Sequence, residues 1–164
     1  RKNKINYFLG DEINVYKRFF DFLKKRNERF FIRISGDSPL LDPTLLELLI
    51  KFHKKNIKFD IITNVFPRSF PKGQSIEIIK KNNFMDLKNM KMTSSQKEHI
   101  TSYFYKYHKK YMIKNYYNDK PSNKLKLSVD TKIDYLRVSK IIKSLEKEKK
   151  SISLDNIYSL WKKK

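Results

Sequence analysis

The sequence predicts an α/β fold: one layer of largely parallel strands with helices packed on it. Two observations lead there. Short runs rich in Ile, Phe and Val alternate with amphipathic stretches of roughly 10–15 residues, the rhythm of strand–helix–strand units. Glycine and proline are scarce, and most of them (Gly36, Pro39, Pro43, Pro67, Pro71 and Gly73) fall in one region, so the sharpest turns are expected there. No internal repeat and no Gly/Ser- or Pro-rich linker divides the 164 residues, a length that suits a single domain over 1–164.

Taken in order, Asp11 to Arg26 reads as a helix, with Asp11 as cap and Val15, Tyr16, Phe19, Phe22 and Leu23 on one stripe. "FFIRIS" (Phe30 to Ser35) is a short strand that Gly36 ends. Asp42 then reads as an N-cap with Pro43 at the first helical position. The helix "PTLLELLIKFHKK" follows, with Leu45, Leu48, Leu49 and Phe52 inward. "FDIIT" is a second buried strand, "NVFPRSFPKGQ" a turn-rich segment and "SIEII" a third strand. Phe84 to Tyr107 reads as helix, broken near Thr93 to Ser95. "YMIKNYY" and "KLKLSV" read as strands. Asp130 to Glu148 is a helix with Ile133, Leu136, Ile141 and Leu145 inward, and Ser153 caps a short final helix.

Composition narrows the chemistry. The absence of Cys excludes disulfides, thiolate metal sites and a Cys nucleophile, and an intracellular, cytoplasmic location is the simplest expectation. No apolar run approaches the roughly 18 residues of a membrane span, and no signal peptide is visible. The chain opens on Arg1 rather than Met, as a piece of a longer protein would. The net charge of +21 has two competing readings. One is an anionic partner such as nucleic acid, a membrane surface or a phosphorylated small molecule. The other is codon composition, since Lys, Asn, Ile, Phe and Tyr share A/T-rich codons. Lys is spread along the chain and Arg is not clustered, which favours the second and speaks against nucleic acid.

In open α/β sheets ligands sit beyond the carboxyl ends of the strands. Three loops of unusual composition lie at such ends: "GDSPLLDP", "NVFPRSFPKGQS" and "SVDTKID". Asp37 and Asp130 each follow a short apolar strand. Mg²⁺ takes oxygen ligands, commonly one or two protein carboxylates completed by substrate phosphates, which two such residues would suit; turn or helix capping is the competing role. Asp134 stands one helical turn beyond Asp130 and would reach either the metal or a basic side chain. Arg33, in an otherwise buried strand, needs a partner, either an anionic substrate or a carboxylate such as Asp37. Arg68 and Lys72 lie in a loop suited to a phosphate or carboxylate, with solvated surface charge as the alternative. Glu98 and His99 offer an acid–base or orienting pair. His53 and His108 lie on Lys-rich stretches and carry no signal, and no His-x-x-x-His spacing or Gly-rich phosphate loop occurs.

The landmarks "RISGDSPLLDP", "FPRSFPKGQSIEI", "QKEHITSYFY" and "LSVDTKIDY", in this order, resemble the cytidylyltransferase group that includes the spore-coat polysaccharide biosynthesis protein F family. More distantly they are similar to the CMP-Kdo and CMP-sialate synthetases. The resemblance implies a Rossmann-like nucleotidyltransferase fold of the nucleotide-diphospho-sugar transferase type, a three-layer sandwich. It implies transfer of CMP from CTP to a sugar acid with release of pyrophosphate, in surface polysaccharide synthesis, with Mg²⁺ as cofactor and a homodimer left open. The family's metal-binding aspartates match Asp37 and Asp130, and its trailing acid matches Asp134. Arg33, Arg68, Lys72, Glu98, His99 and Asp134 then become substrate-binding candidates. Two departures stand out. Ser75 follows "PKGQ" where the family commonly has an acid. The family's opening βαβ segment, with a basic, Gly-containing loop that grips CTP, has no counterpart here. The chain therefore corresponds to the C-terminal two-thirds of such a domain and is expected to bind CTP weakly or not at all by itself. A basic nucleic-acid-binding module and a metal-dependent nucleotide-sugar glycosyltransferase are the alternatives.

Overall fold

The computed structural model describes residues 5–119 and 125–162. Four strands form one sheet: β1 (Phe30–Arg33), β2 (Ile61–Thr63), β3 (Glu77–Lys80) and β4 (Ile113–Asn115), in the order β1-β3-β2-β4. The longer helices are α1 (Val15–Leu23), α2 (Pro43–Lys55), α6 (Lys132–Lys147) and α7 (Leu154–Lys162). Between β3 and β4 lie three short helices, α3 (Lys81–Asp86), α4 (Ser94–Glu98) and α5 (Ser102–Lys106).

The α/β class matches the expectation, but the sheet is mixed. β3 inserts between β1 and β2 and runs antiparallel to both, while β2 and β4 pair in parallel. β1, β2 and β4 thus share one direction, as the sequence predicts. The chain turns back through 64–76 without a crossover helix, the kind of return that joins antiparallel neighbours. β1 is an edge of the described sheet, with Ile32 and Ile34 exposed.

Alternation along the strands builds the layers. Ile61 and Ile79 point into a cluster with Leu23, Phe84, Tyr103 and Phe104, so α1, α3 and α5 cover that face. Ile62 and Ile78 point the other way and pack on Leu45 and Leu49 of α2. A third cluster joins Leu40, Leu125 and Leu127 to Val138, Ile141 and Leu145 of α6 and Ile157 of α7.

Several local expectations change. Asn14, not Asp11, caps α1, its side chain accepting from Lys17 N–H, while the Asp11 carboxylate accepts from the Ile13 and Asn14 amides just before it. The stretch 84–107 is four short pieces, because Thr93 and Gln96 form a capping box that starts α4 afresh. "KLKLSV" makes only a single bridge, Lys126 to Lys72, rather than a strand; its Lys124 lies outside the described residues. On α6 the inward stripe is Asp134, Val138, Ile141 and Leu145, and Ile133 and Leu136 face outward. Leu48 of α2 is also exposed.

A buried polar clamp fixes the loops at the sheet end. Gln74 is fully buried; its Oε1 accepts from Asp42 N–H at 2.9 Å and its Nε2 donates to the Leu40 carbonyl at 2.6 Å. Asn64 Nδ2 donates to the Gln74 carbonyl at 2.7 Å, and Asn64 Oδ1 accepts from Ile76 N–H at 2.9 Å. Asp42 caps α2 as predicted, with one oxygen on the Thr44 and Leu45 amides; its other oxygen accepts from Leu154 N–H at 2.9 Å, anchoring α7.

Candidate functional site

The carboxyl ends of β1 and β2 and the amino end of β3 meet at one edge of the sheet, and the clamp holds their loops there. Asp37 lies four residues beyond the last residue of β1. Its carbonyl accepts from Val129 N–H at 2.9 Å, so the backbone carrying Asp130 is bonded directly to the Asp37 turn. Gly73 explains how close these segments come. At φ +94° its backbone suits glycine, and a Cβ there would lie 2.6 Å from the Leu127 carbonyl carbon and from Ser128 N. The Lys72 carbonyl accepts from Leu127 N–H at 2.7 Å across the same gap.

Within this corner Asp37 is exposed, with Oδ1 accepting from Ser38 Oγ at 2.8 Å. The Asp130 side chain is half exposed; its Oδ2 lies 2.7 Å from Lys126 Nζ and accepts from Ser128 Oγ at 3.3 Å. The hydrogen bond from Lys126 holds the Asp130 carboxyl below the usual range and raises Lys126 in turn. Asp134 is spoken for. Its Oδ2 accepts from Lys126 Nζ at 2.6 Å and from the Asp130 and Thr131 amides, and its Oδ1 accepts from Arg137 Nη2 at 2.5 Å. These donors, Lys126 first and Arg137 after it, keep its carboxyl well below the ordinary value. Asp134 is therefore the buried anchor of the α6 capping box, and its oxygens face their own loop rather than a ligand. Among the described residues no group of three or more His, Asp or Glu is placed to hold a metal ion. Two carboxylates suit Mg²⁺ nonetheless, since it keeps waters and takes phosphate oxygens for the rest of its shell.

A second cluster lines an open cavity of about 280 Å³ built from Arg33, Val65, Arg68, Ser75, Glu77, His99, Thr101, Ser102 and Tyr105. Arg33 and Glu77 are cross-strand partners in the β1–β3 register, and Arg33 Nη1 donates to Glu77 Oε2 at 2.6 Å. The partner of Arg33 is thus Glu77 and not Asp37. Glu77 is buried, and its other oxygen accepts from the Tyr105 hydroxyl, which also lies 3.0 Å from Thr63 Oγ1. Burial first, and the Glu77 charge second, push the Tyr105 phenol well above its ordinary pKa, so it stays a neutral donor. Phe66 stacks on the Tyr105 ring at 4.8 Å. Arg68 donates to the Pro71 carbonyl at 3.4 Å and to Ser75 Oγ at 3.1 Å. Burial lowers its pKa and the Glu77 charge opposes that shift, leaving a half-buried cation.

Of the sequence candidates, Arg33, Arg68 and His99 share this cavity. Asp37 and Asp130 share the neighbouring corner, where the exposed Lys72 is tied by its backbone to Leu127. Glu98 ends α4 as an exposed residue and is absent from the cavity wall. Glu77, Tyr105 and Ser102 line the cavity without being among the sequence candidates. A single acid in the apolar run "SIEII" is the signal that points to Glu77, as the single Arg in "FFIRIS" points to its partner.

No family model matches the chain. A solved cytidylyltransferase structure from Leptospira borgpetersenii superposes on 99% of it with a TM-score of 0.87 and 28% sequence identity, covering 68% of that protein. The spore coat polysaccharide biosynthesis protein SpsF of Bacillus subtilis is 27% identical over 140 residues. Together these likenesses support a cytidylyltransferase family assignment. An uncharacterised protein of Methanocaldococcus jannaschii is 25% identical over 151 residues. This cytidylyltransferase-like chain spans 55% of the length of SpsF and 60% of that of the archaeal relative.

Proposed function

We propose that the chain contributes the metal and sugar side of a sugar cytidylyltransferase, which transfers CMP from CTP to a sugar acid for surface polysaccharide synthesis. The observation that carries this reading is the 2.9 Å bond from Val129 N–H to the Asp37 carbonyl, which joins the turn of Asp37 to the segment that leads into Asp130. The likeness to a cytidylyltransferase structure over nearly the whole chain supports it.

In this reaction a sugar hydroxyl oxygen attacks the α-phosphorus of CTP. The new O–P bond replaces the bridging bond to the β-phosphate, pyrophosphate leaves, and the hydroxyl proton is lost to water. Asp37 and Asp130 would hold Mg²⁺, which when bound neutralises phosphate oxygens. Lys126 and Ser128 orient the Asp130 carboxylate from one side, leaving its other oxygen for the ion. Ser38 does the same for Asp37. Catalysis of this kind is chiefly positioning and electrostatics, and the clamp of Gln74, Asn64 and Asp42 supplies the rigidity. The cavity of Arg33, Arg68 and His99 would take the acidic end of the sugar.

The test is calorimetric titration of CTP into the 164-residue chain with and without Mg²⁺, with pyrophosphate release followed at saturating CTP and a panel of sugar acids. The expected result is weak, Mg²⁺-dependent CTP binding and a pyrophosphate signal, both lowered by about two orders of magnitude in Asp37→Asn or Asp130→Asn. CTP binding indifferent to Mg²⁺ and to both substitutions overturns the reading.

A further inference from the structure

The cavity beside the aspartate corner has a charge count and an unused hydrogen bond that the sequence candidates do not explain. Glu77 is the one carboxylate on its described wall, and both of its oxygens are occupied, by Arg33 Nη1 and by the Tyr105 hydroxyl. Arg68, half-buried on the same wall, donates to two neutral acceptors, the Pro71 carbonyl and Ser75 Oγ. Two guanidiniums against one carboxylate leave one positive charge in a partly desolvated space, where it attracts an anion more strongly than it would in water. Ser102 adds an independent sign. Its Oγ is buried on this wall and has no hydrogen-bond partner among the described residues. A buried hydroxyl left unpaired is unfavourable, and turning it out toward the cavity that Ser102 lines lets a ligand supply the missing partner.

We propose that Ser75 and Ser102 determine the specificity of this cavity for a carboxylate-bearing sugar. Ser75 hydrogen-bonds the Arg68 guanidinium without neutralising it, so the charge is kept for a ligand. Ser102, by rotating its buried hydroxyl toward the cavity, gives that ligand a hydrogen bond. A carboxylate, with one negative charge, balances the cavity; a phosphate monoester, with nearly two, overshoots it, and a neutral sugar leaves Arg68 uncompensated. The inference rests on the sugar-acid reading above and adds the residues that would enforce it.

The experiment is isothermal titration of glucuronate, glucose and glucose 1-phosphate into the 164-residue chain, without nucleotide or metal, so that Asp37 and Asp130 take no part. Glucuronate should bind at least about tenfold more tightly than either of the other two. Ser75→Asp places a carboxylate within reach of Arg68 and should abolish that preference. Ser75→Asn, of the same size without the charge, should keep it within about threefold. Ser102→Ala should weaken glucuronate by about three- to tenfold, the effect of one hydrogen bond. The inference is overturned if Ser75→Asp binds glucuronate as Ser75→Asn does. It is overturned equally by glucose binding as tightly as glucuronate, or by glucuronate failing to bind at millimolar concentration. Circular dichroism monitors folding; should Ser75→Asp not fold, Arg68→Gln must lose the preference, and its persistence there overturns the inference. A carboxylate preference without CTP chemistry sinks the transfer reading alone, and CTP chemistry without the preference sinks this inference alone.

Discussion

Gln74→Leu removes the clamp and changes little else. Leucine nearly matches the volume of glutamine, so the buried site keeps its packing. What disappears are two hydrogen bonds, to Asp42 N–H at 2.9 Å and to the Leu40 carbonyl at 2.6 Å. Leu40 and Asp42 are themselves buried, so water does not replace the lost partner. A buried backbone group left unpaired costs about 1–3 kcal/mol; two of them give roughly 2–6 kcal/mol, a large part of the total for a domain stable by about 5–15 kcal/mol. Urea unfolding followed by the single tryptophan, Trp161, and by circular dichroism measures the loss as a lower midpoint at unchanged slope. Gln74→Glu is the informative companion. A carboxylate keeps acceptors for Asp42 N–H but gives the Leu40 carbonyl no donor, so its loss should again be large. If Gln74→Leu shifts stability by less than about 0.5 kcal/mol, the size of an ordinary surface change, the clamp does not hold the loops and the reasoning built on it fails.

Two further outcomes follow from the same edge of the sheet. Gly73→Ala should destabilise by about 2–4 kcal/mol, from a left-handed backbone and a Cβ driven against the Leu127–Ser128 peptide; a variant that melts with the wild type would show that the two segments part freely. Asp134 has a depressed carboxyl pKa in the folded chain, so the unfolded chain binds its proton first as pH falls. Its contribution is complete above the ordinary value of about 4 and is lost as pH drops through the depressed one. Urea midpoints measured between about pH 7 and pH 2 should fall less steeply in Asp134→Asn than in the wild type, and equal slopes would refute the assignment.

Much of this arrangement is written locally. Asp42–Pro43 specifies the start of α2, and the side chain caps it as read. The crowding of Gly and Pro from Gly36 to Gly73 marks the loops that the clamp ties together. Strand positions are legible because buried β runs are apolar, and three of them run in one direction as expected. α6 shows where local reading fails. Its inward stripe begins with Asp134, a residue that apolar periodicity counts as solvent-facing, so the pattern points to Ile133 and Leu136 instead. Asp134 turns inward because Lys126 and Arg137 neutralise it, and Lys126 lies outside the helix.

The sequence by itself determined the α/β class, the places of β1 to β4 and of the longer helices along the chain, the α2 cap and the loops at the sheet end, because each depends on neighbours a few residues away. Only the tertiary structure decided that β3 lies antiparallel between β1 and β2, that Arg33 pairs with Glu77, and that the turn of Asp37 is bonded to the segment before Asp130. Those are contacts between distant segments. A buried charge is satisfied by whichever opposite charge the folded register brings to it, and a linear pattern does not contain that register.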